Sequence, residues 1–361
     1  MPDHAVHGGE FFSAIGPKLD HLENRFGVVN ADVLDAWYDP APSVIDAIRE
    51  HLSWLIKTSP PTHGEGLLEV IAEVRNLRPS NILLGGGSSS LIFLLFPRLF
   101  SGKRVGVLDP TYGEYSHVLG LCEAEVIRFE LDAPHFRPDV ASLANFGKDL
   151  DGVVMVNPNS PTGVGIPRRD IVDLLAALPE TVTVWIDETY IDFMPGAQSV
   201  ESLVANHTNL IVCKSMSKYY ALSGLRVGYV VSHSMLVEEG SSQTPPWSLG
   251  LISQLAAAQA LRAPDYYKER VSETHALARE LTSGLTDLGI EATPSDTNFV
   301  LAHTANVARL VKSCAEQGVF LRNCDSLSPR FQDDYFRVAV KSGPDQQRIL
   351  AAIKASVESR P

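Results

Sequence analysis

Short apolar runs alternate with helical stretches along the first two thirds of the chain, and this alternation limits the possible folds more than any other feature. Each run is three to five residues long, as at 152–156, and the stretches between them show helical periodicity, as at 88–96. Continuously apolar strands separated by helices are typical of a mostly parallel sheet that helices cover on both faces. The predicted strands are 82–84, 104–108, 125–129, 152–156, 183–186, 210–212 and 227–231.

The regions on either side of this alternating part differ from it. Apolar residues recur at helical spacing over 43–56, and Pro60 and Pro61 end that helix. The polar segment 241–248 indicates a domain boundary, and a helix over 249–261 follows it. We therefore expect an N-terminal segment that packs with the small domain (1–45), a large domain (46–245) and a smaller C-terminal α+β domain (246–361).

Charge and cysteine content exclude some classes of protein. The 361 residues include 30 basic and 43 acidic ones, a net charge of −13, whereas a general nucleic-acid binder needs a basic surface. The four cysteines form no Cys-x-x-Cys pair and no Cys/His cluster, so no metal site is predicted. No apolar stretch approaches the roughly 20 residues that span a bilayer, and the N-terminus does not resemble a signal peptide. We expect a cytoplasmic protein that binds neither nucleic acid nor membranes.

Four local motifs follow predicted strands, where ligands of α/β proteins bind. The first is Gly-Gly-Ser-Ser at 86–89, where backbone N–H groups and serine hydroxyls can hold a phosphate. Taken alone, this motif is equally an ordinary helix start. The second is Asn-Pro-Asn-Ser-Pro-Thr-Gly at 157–163, which by itself indicates only a turn.

The third and fourth motifs carry titratable groups. Trp-Ile-Asp-Glu-Thr-Tyr at 185–190 ends an apolar strand with an acid that is costly to bury without a positive partner. Asp187 is either a helix cap or a carboxylate aimed at a protonated cofactor nitrogen. Ser-Met-Ser-Lys at 215–218 is followed eight residues later by Arg226. Burial and nearby positive charge would lower the pKa of Lys218 and activate its amine, although a lone lysine is usually a surface charge.

In their order and spacing these motifs resemble those of the fold-type I pyridoxal-phosphate enzymes, the aspartate-aminotransferase superfamily that includes the class I and II aminotransferases. The resemblance depends mainly on Asp-Glu-Thr-Tyr at 187–190, Ser-Met-Ser-Lys at 215–218 and the following arginine, and it runs over nearly the whole chain. It implies the cofactor pyridoxal 5'-phosphate and an α/β, aspartate-aminotransferase-like fold with a mostly parallel seven-stranded sheet. It also implies a homodimer with shared active sites and a small-molecule amino-acid substrate.

The resemblance assigns residues to the cofactor. Lys218 corresponds to the Schiff-base lysine, which also acts as acid and base at the substrate Cα, and Asp187 to the carboxylate that keeps the pyridine nitrogen protonated. Tyr190 corresponds to the hydrogen-bond partner of the phenolic oxygen, and Tyr112 to the ring stacked on the pyridine. The remaining predicted cofactor contacts are Gly87, Ser88, Ser89, Ser215, Ser217 and Arg226 around the phosphate, and Asn159 and Ser160 near the phenolic oxygen.

Within the superfamily, the chain most resembles threonine-phosphate decarboxylase and histidinol-phosphate aminotransferase. The segments that carry this likeness include His-Gly-Gly at 7–9, Pro-Trp-Ser at 246–248 and Phe-Leu-Arg-Asn-Cys at 320–324. Three positions depart from the pattern. Ser160 replaces the usual asparagine, and Ser-Pro at 59–60 replaces a Tyr-Pro pair that reaches the partner subunit's cofactor phosphate. Asp-Ala-Trp-Tyr-Asp-Pro at 35–40 replaces the decarboxylase's Ser-Ala-Asn-Ile-Asn-Pro beside the substrate, so we expect a different substrate.

The resemblance also assigns four residues to the substrate. Arg337, in Tyr-Phe-Arg-Val at 335–338, corresponds to the arginine that grips the α-carboxylate through a bidentate pair. Arg322 corresponds to an arginine that helps to bind the substrate's phosphate in both relatives. His7 and Trp37 are the other two predicted substrate contacts.

Three functions remain open at this point. An aminotransferase acting on an anionic amino acid, such as a phosphorylated or phosphonate one, is favoured for two reasons. Aminotransferases are numerous in the superfamily, and residues 35–40 beside the substrate differ from those of the decarboxylase. A decarboxylase resembling threonine-phosphate decarboxylase is the alternative, because the two chemistries share residues and differ in which Cα bond the site aligns. A non-catalytic binding protein on the same fold is disfavoured by the intact lysine, aspartate and arginine.

Overall fold

The computed structural model describes residues 8–16, 18–196 and 198–358, which fold around three β-sheets. The strands are β1 (Val29–Asn30), β2 (Ile82–Gly85), β3 (Arg104–Asp109), β4 (Glu125–Glu130), β5 (Gly152–Val156), β6 (Thr183–Asp187), β7 (Leu210–Ser215), β8 (Gly228–Val231), β9 (Glu291–Thr293), β10 (Phe299–His303), β11 (Val319–Phe320), β12 (Arg322–Asn323) and β13 (Tyr335–Ala339). The helices are α1 (Phe11–Ile15), α2 (Pro42–Lys57), α3 (Glu65–Arg75), α4 (Ser88–Phe100), α5 (Gly113–Leu121), α6 (Val140–Gly147), α7 (Arg168–Ala177), α8 (Ser234–Gln243), α9 (Leu251–Leu261), α10 (Pro264–Asp287), α11 (Val307–Glu316) and α12 (Gly343–Glu358). Short 3-10 helices lie at Leu22–Gly27, Pro79–Asn81, Ile191–Phe193, Glu201–Ala205, Ser223–Leu225 and Asp325–Leu327.

The largest sheet has seven strands in the order β2-β8-β7-β6-β5-β3-β4. In this sheet β8 runs antiparallel to its neighbours β2 and β7, and the other pairs are parallel. Every residue of β5 and of β8 is buried, as expected for strands that are covered on both faces. The predicted mostly parallel, seven-stranded α/β sheet is therefore confirmed.

The core beneath the carboxyl end of β6 is aromatic. Trp185 is fully buried and packs edge-on against Phe96 of α4, with ring centroids 4.9 Å apart. Phe96 also stacks on Tyr115 of α5 at 5.6 Å. Because buried rings contribute large apolar areas and specific edge contacts, the strand end that carries Asp187 lies on a well-packed base.

Two smaller sheets lie outside the seven-stranded one. Strands β12, β13, β10 and β9 form an antiparallel sheet in that order, and β1 pairs with β11 in a parallel two-stranded sheet. The N-terminal segment is therefore hydrogen-bonded to the C-terminal part of the chain through β1 and β11. The domain boundaries at 45/46 and 245/246 stay predictions.

Element boundaries differ from the predicted ones in two informative places. β7 continues to Ser215, three residues beyond the predicted end, because Lys214 is buried in an ion pair with Glu188 rather than exposed. Helix α4 continues past Pro97 to Phe100, although proline forfeits one main-chain hydrogen bond. The full burial of Phe96 and Phe100, on either side of the proline, explains why the helix does not stop there.

The elements and side chains of the described residues bear on membrane insertion and metal binding. Among them, no helix has the length and apolar character that crossing a bilayer requires. The same residues contain no group of three or more His, Cys, Asp or Glu side chains that could hold a metal ion. All four cysteines are buried free thiols.

Candidate active site

The carboxyl ends of the parallel strands border a cleft. The N-terminal segment closes its other side through Gly8 and residues 32–34. The structure brings most of the predicted site residues together here, although they are up to 249 positions apart in the chain (337 minus 88). Those that line the cleft are Ser88, Ser89, Tyr112, Ser160, Asp187, Tyr190, Ser215, Ser217, Lys218, Arg226 and Arg337.

Lys218 lies just beyond the end of β7, and its side chain is largely buried in the cleft. Burial lowers the pKa of its amine, and the positive charges of Arg337 and Arg226 lower it further. The carboxylate of Asp35 opposes this shift, since its Oδ1 lies 3.2 Å from Nζ. Burial and nearby positive charge are therefore both present at Lys218, and the activation of its amine stays a prediction.

Asp187 ends β6 as a buried carboxylate. Its Oδ1 accepts hydrogen bonds from the backbone N–H and the hydroxyl of Thr189, at 2.8 and 2.6 Å, and its Oδ2 accepts one from Tyr115 Oη at 2.6 Å. Burial nevertheless raises the pKa of this carboxyl group. Among the described residues no lysine, arginine or histidine pairs with it, so a ligand that brings a positive charge would satisfy it.

The turn between β2 and α4 lies against Arg226. Gly87 has φ 89° and ψ 164°, a conformation that L side chains rarely adopt, and a Cβ there would lie 2.6 Å from Nη2 of Arg226. Nη1 of Arg226 donates to Ser217 Oγ at 3.2 Å. No side chain caps the N-terminus of α4, which begins with Ser88 and Ser89. Free helix N–H groups, hydroxyls and a guanidinium form a donor set suited to a phosphate.

Two tyrosines form walls of the cleft. Tyr112 packs edge-on against Tyr115 with centroids 5.9 Å apart, and burial together with Glu114 and Asp187 raises its pKa to about 12. Tyr190 packs edge-on against Phe299 at 5.2 Å, and burial raises its pKa as well. Both phenols therefore stay protonated near neutral pH and can donate hydrogen bonds.

Arg337 projects from β13 into the cleft. Its Nη1 donates to Ser160 Oγ at 2.9 Å, and its Nη2 donates to the backbone oxygen of Asp32 at 3.2 Å. Its Nε is buried without a hydrogen-bond partner within the described part of the chain. A buried donor without an acceptor is costly, so this guanidinium is suited to receive an anionic group from a ligand.

The loop 157–163 contacts Arg337 through Ser160, whereas the sequence predicted that Asn159 and Ser160 contact the cofactor. Ser160, predicted as a cofactor contact, accepts a hydrogen bond from Arg337. Asn159 does not line the cleft, because its amide donates to the backbone oxygen of Pro110 at 2.9 Å and to Thr162 Oγ1 at 3.2 Å. The asparagine therefore holds the loop together, and the serine faces the cleft.

The other predicted substrate contacts are more scattered. Arg322 is the register partner of Arg337 on neighbouring strands, and it lines an adjoining pocket with Gly8 and Asp32. Trp37 does not line the cleft; its Nε1 donates to Thr274 Oγ1 at 2.9 Å. His7 lies outside the described residues.

Sequence reasoning missed four polar residues around the reacting groups. Tyr115 and Thr189 hold the Asp187 carboxylate, and Thr189 could have been suspected because it lies two residues away within the same motif. Asp35, which the sequence indicates only as part of the segment 35–40 that departs from the decarboxylase pattern, contacts Lys218. Lys341, whose Nζ donates to the backbone oxygen of Asp35 at 3.0 Å, gave no sequence signal at all.

Comparison with protein families identifies this arrangement. The family described as Aminotransferase class I and II matches residues 29–355, which include every described site residue except Gly8. The chain belongs to this family. Class I and II aminotransferases use pyridoxal 5'-phosphate, so this is a pyridoxal-phosphate-dependent enzyme, as the sequence analysis predicted.

Individual relatives agree with the family assignment. Histidinol-phosphate aminotransferase from Marinomonas sp. is 32% identical over 327 residues, covering 88% of this chain and 90% of the relative. The crystal structure of histidinol-phosphate aminotransferase from Sinorhizobium meliloti, in complex with pyridoxal 5'-phosphate, superposes with a TM-score of 0.80 at 23% identity, covering 91% of this chain and 90% of that one. The crystal structure of L-threonine-O-3-phosphate decarboxylase from Porphyromonas gingivalis superposes with a TM-score of 0.79 at 22% identity, covering 90% of this chain and 98% of that one. The predicted aspartate-aminotransferase-like fold is confirmed.

The residues of this class I and II aminotransferase fit its cofactor. The buried carboxylate of Asp187 needs a positive partner, which a protonated pyridine nitrogen would supply. The donor set around Arg226 suits a phosphate, and the absence of a Cβ at Gly87 keeps that set open. The amine of Lys218 lies in the same cleft.

Proposed function

We propose that this enzyme is an aminotransferase that moves an amino group between an anionic amino acid and a keto acid. The observation that carries the proposal is the single cleft that both Lys218 and Arg337 line. An amino acid presents both an α-amino group and an α-carboxylate, and the cleft offers a matching group for each. The family assignment supports the same reaction class.

Each residue has a definite proposed task. Lys218 would hold the cofactor aldehyde and afterwards carry a proton to and from the substrate Cα. Asp187 would keep the ring nitrogen protonated, and Arg226 with Ser88, Ser89, Ser215 and Ser217 would hold the phosphate. Tyr112 and Tyr190 would contact the ring and its phenolic oxygen. When bound, pyridoxal phosphate supplies the electron sink for bonds broken at Cα.

The substrate contacts would come from Arg337 and Arg322, which lie opposite each other on neighbouring strands. The guanidinium of Arg337, already oriented by Ser160 and by the backbone of Asp32, would grip the α-carboxylate. Arg322, on the adjacent strand, would meet an anionic side-chain group such as a phosphate or phosphonate. The 32% identical relative from Marinomonas, named for a phosphorylated substrate, supports this substrate class.

Decarboxylation is the second candidate, and the likeness to the Porphyromonas gingivalis decarboxylase favours it. The two reactions need the same lysine, aspartate and arginines, and they differ in which bond of Cα stands perpendicular to the cofactor ring. In a decarboxylase Arg337 would have to position the carboxylate for loss rather than only bind it.

Product analysis separates the two candidates. The enzyme loaded with pyridoxal phosphate is incubated with O-phospho and phosphonate amino acids and an excess of a keto acid, with Lys218→Ala as the control. We expect a new keto acid and amination of the acceptor, and no product from the control. Carbon dioxide and an amine as the sole products would replace the proposal with decarboxylation.

Assembly is proposed on the resemblance alone, and location on the four unpaired cysteines. We expect a homodimer with active sites shared between subunits, and residence in the cytoplasm. The substrate is a small molecule, and neither nucleic acid nor membrane binding is expected at a net charge of −13.

A further inference from the structure

An ion pair joins the reactive lysine to the N-terminal segment. Oδ1 of Asp35 lies 3.2 Å from Nζ of Lys218, although the two residues are 183 positions apart. The backbone around Asp35 is fixed from the C-terminal part, since Lys341 Nζ donates to its carbonyl oxygen at 3.0 Å and Asn298 Nδ2 donates to that of Leu34 at 3.0 Å. The carboxylate is therefore held at this place by its own segment and not only by its attraction to the lysine.

The charged groups around this pair come from every part of the cleft. The amine of Lys218 lies 3.2 Å from the carboxylate of Asp35, and the positive charges of Arg337 and Arg226 also act on it. Asp35 additionally faces Lys341 and the hydroxyl of Ser223. The phenol of Tyr190 is also close to Asp35. Of these groups, only Asp35 favours the charged form of the Lys218 amine.

We propose that Asp35 is a positioning residue whose carboxylate orients the amine of Lys218 and stabilises its protonated form, which strengthens this amine as the base at the substrate Cα. The part that concerns the base depends on the proposed function. In the proposed reaction the Cα–H bond would break, its electron pair would stay on the substrate with bound pyridoxal phosphate as the electron sink, and the proton would go to Nζ of Lys218. The ammonium that results would be stabilised by a carboxylate within hydrogen-bonding distance.

Asp35 and the two arginines have opposite effects on the pKa of Lys218. Burial and two arginines lower the pKa of Lys218, which favours a free amine but makes that amine a weaker base. Asp35 raises the same pKa, and its own pKa is lowered by Lys218 and Lys341, so it remains a carboxylate near neutral pH. It therefore acts by charge and geometry and does not itself take the proton.

The test measures the amine directly in the protein without cofactor. Trace acylation with acetic anhydride over a pH series, followed by mass spectrometry of the peptide that contains Lys218, gives the pH at which half of the amine is reactive. Asp35→Asn should move this midpoint down by about one to two pH units, as expected when a carboxylate at this distance loses its charge. Asp39→Asn, an equal change in charge on the same segment at an exposed position, should leave it unmoved.

Asp35→Ser provides a second neutral variant, since serine is the residue of the decarboxylase pattern at this position and should be compatible with the fold. It should lower the midpoint by a similar amount. A midpoint that stays in place in both Asp35 variants would overturn the proposal, and so would an equal shift in Asp39→Asn. Because neither cofactor nor substrate is present, this result is independent of the proposed reaction.

Steady-state kinetics of the loaded enzyme then tests the effect on the base. Asp35→Asn should lower kcat by roughly 10-fold and leave KM within about twofold, since the proton step is affected and carboxylate binding at Arg337 is not. Asp35→Glu, which keeps the charge, should restore part of the lost rate. A rise in KM with unchanged kcat would mean that Asp35 binds substrate, and would contradict the positioning role.

Discussion

At the scale of single residues, the site depends on charged groups that the fold leaves short of partners. Arg337 is buried with one nitrogen unpaired, and Asp187 is buried without a cation among the described residues. Either arrangement costs stability in the protein without ligands, and each is relieved by the group we propose to bind there. These groups thus lower the stability of the protein without ligands, and their charges are complementary to those of the ligands we propose.

Arg337→Ala gives the clearest residue-scale prediction. Loss of the carboxylate grip should cost about 2–5 kcal/mol of substrate binding, which is at least about 30-fold in KM. Arg169→Ala is the matched control, because that arginine is 85% exposed and outside the cleft. Steady-state kinetics with the best amino-acid substrate provides the measurement, and an unchanged KM for Arg337→Ala would refute its assigned role.

The sequence predicted the cleft-lining residues whose signals are local. Asp187, Tyr190, Lys218 and Arg226 were predicted because each stands in or near a short motif at a strand end. The contact of Asp35 with Lys218 could not be predicted, since it joins parts of the chain that only the fold brings together. The sequence also could not show that Ser160 lines the cleft and Asn159 does not, because only the three-dimensional structure defines which way each residue of a loop faces.

At the scale of elements, we propose that the turn from β2 into α4 is specialised for the phosphate of the cofactor. A helix N-terminus without a cap and a glycine at φ 89° leave space for Arg226 at the point where a phosphate would be held. The alternation of apolar runs and helices predicted this element, because burial on both sheet faces leaves a strong sequence pattern. Exact ends were harder to predict, since β7 is prolonged by the buried ion pair of Lys214 with Glu188.

Gly87→Ala tests this element. The new Cβ would displace the guanidinium of Arg226, the flexible end of a side chain, so the protein should fold but hold the phosphate more weakly. We expect the dissociation constant for pyridoxal phosphate, measured by absorbance titration, to rise about 10-fold or more, as for the loss of one charged hydrogen bond.

Gly16→Ala is the control for backbone strain alone. Gly16 also has a positive φ, 117°, and a Cβ there would meet nothing within 4 Å. It should lower stability without changing cofactor affinity. Equal loss of affinity in both variants would mean that strain, rather than the displacement of Arg226, weakens binding.

At the scale of the whole molecule, the proposed dimer has a candidate surface. Helix α2 exposes Ile45, Leu52 and Ile56 at helical spacing, together with Trp54. An apolar stripe of this kind on a surface helix is typical of an interface. A second copy of the chain is the occupant that the family resemblance implies.

Sedimentation equilibrium tests this expectation. The wild type should have twice the chain mass of 39.3 kDa, and the double variant Leu52→Glu, Ile56→Glu should shift towards the single mass. Met235→Glu, on α8 and 66% exposed, should remain dimeric. A wild-type protein of 39.3 kDa at micromolar concentration would contradict the dimer.

The central claim is that the amine of Lys218 holds the cofactor. Protein loaded with pyridoxal phosphate is reduced with borohydride, digested and mapped by mass spectrometry. Lys341 is the competing site for the adduct, because burial lowers the pKa of its amine to about 8. This amine also lies next to Asp35, the residue that contacts Lys218. The account predicts a reduced adduct on Lys218 alone; an adduct on Lys341 or on another lysine, or none at all, would contradict it.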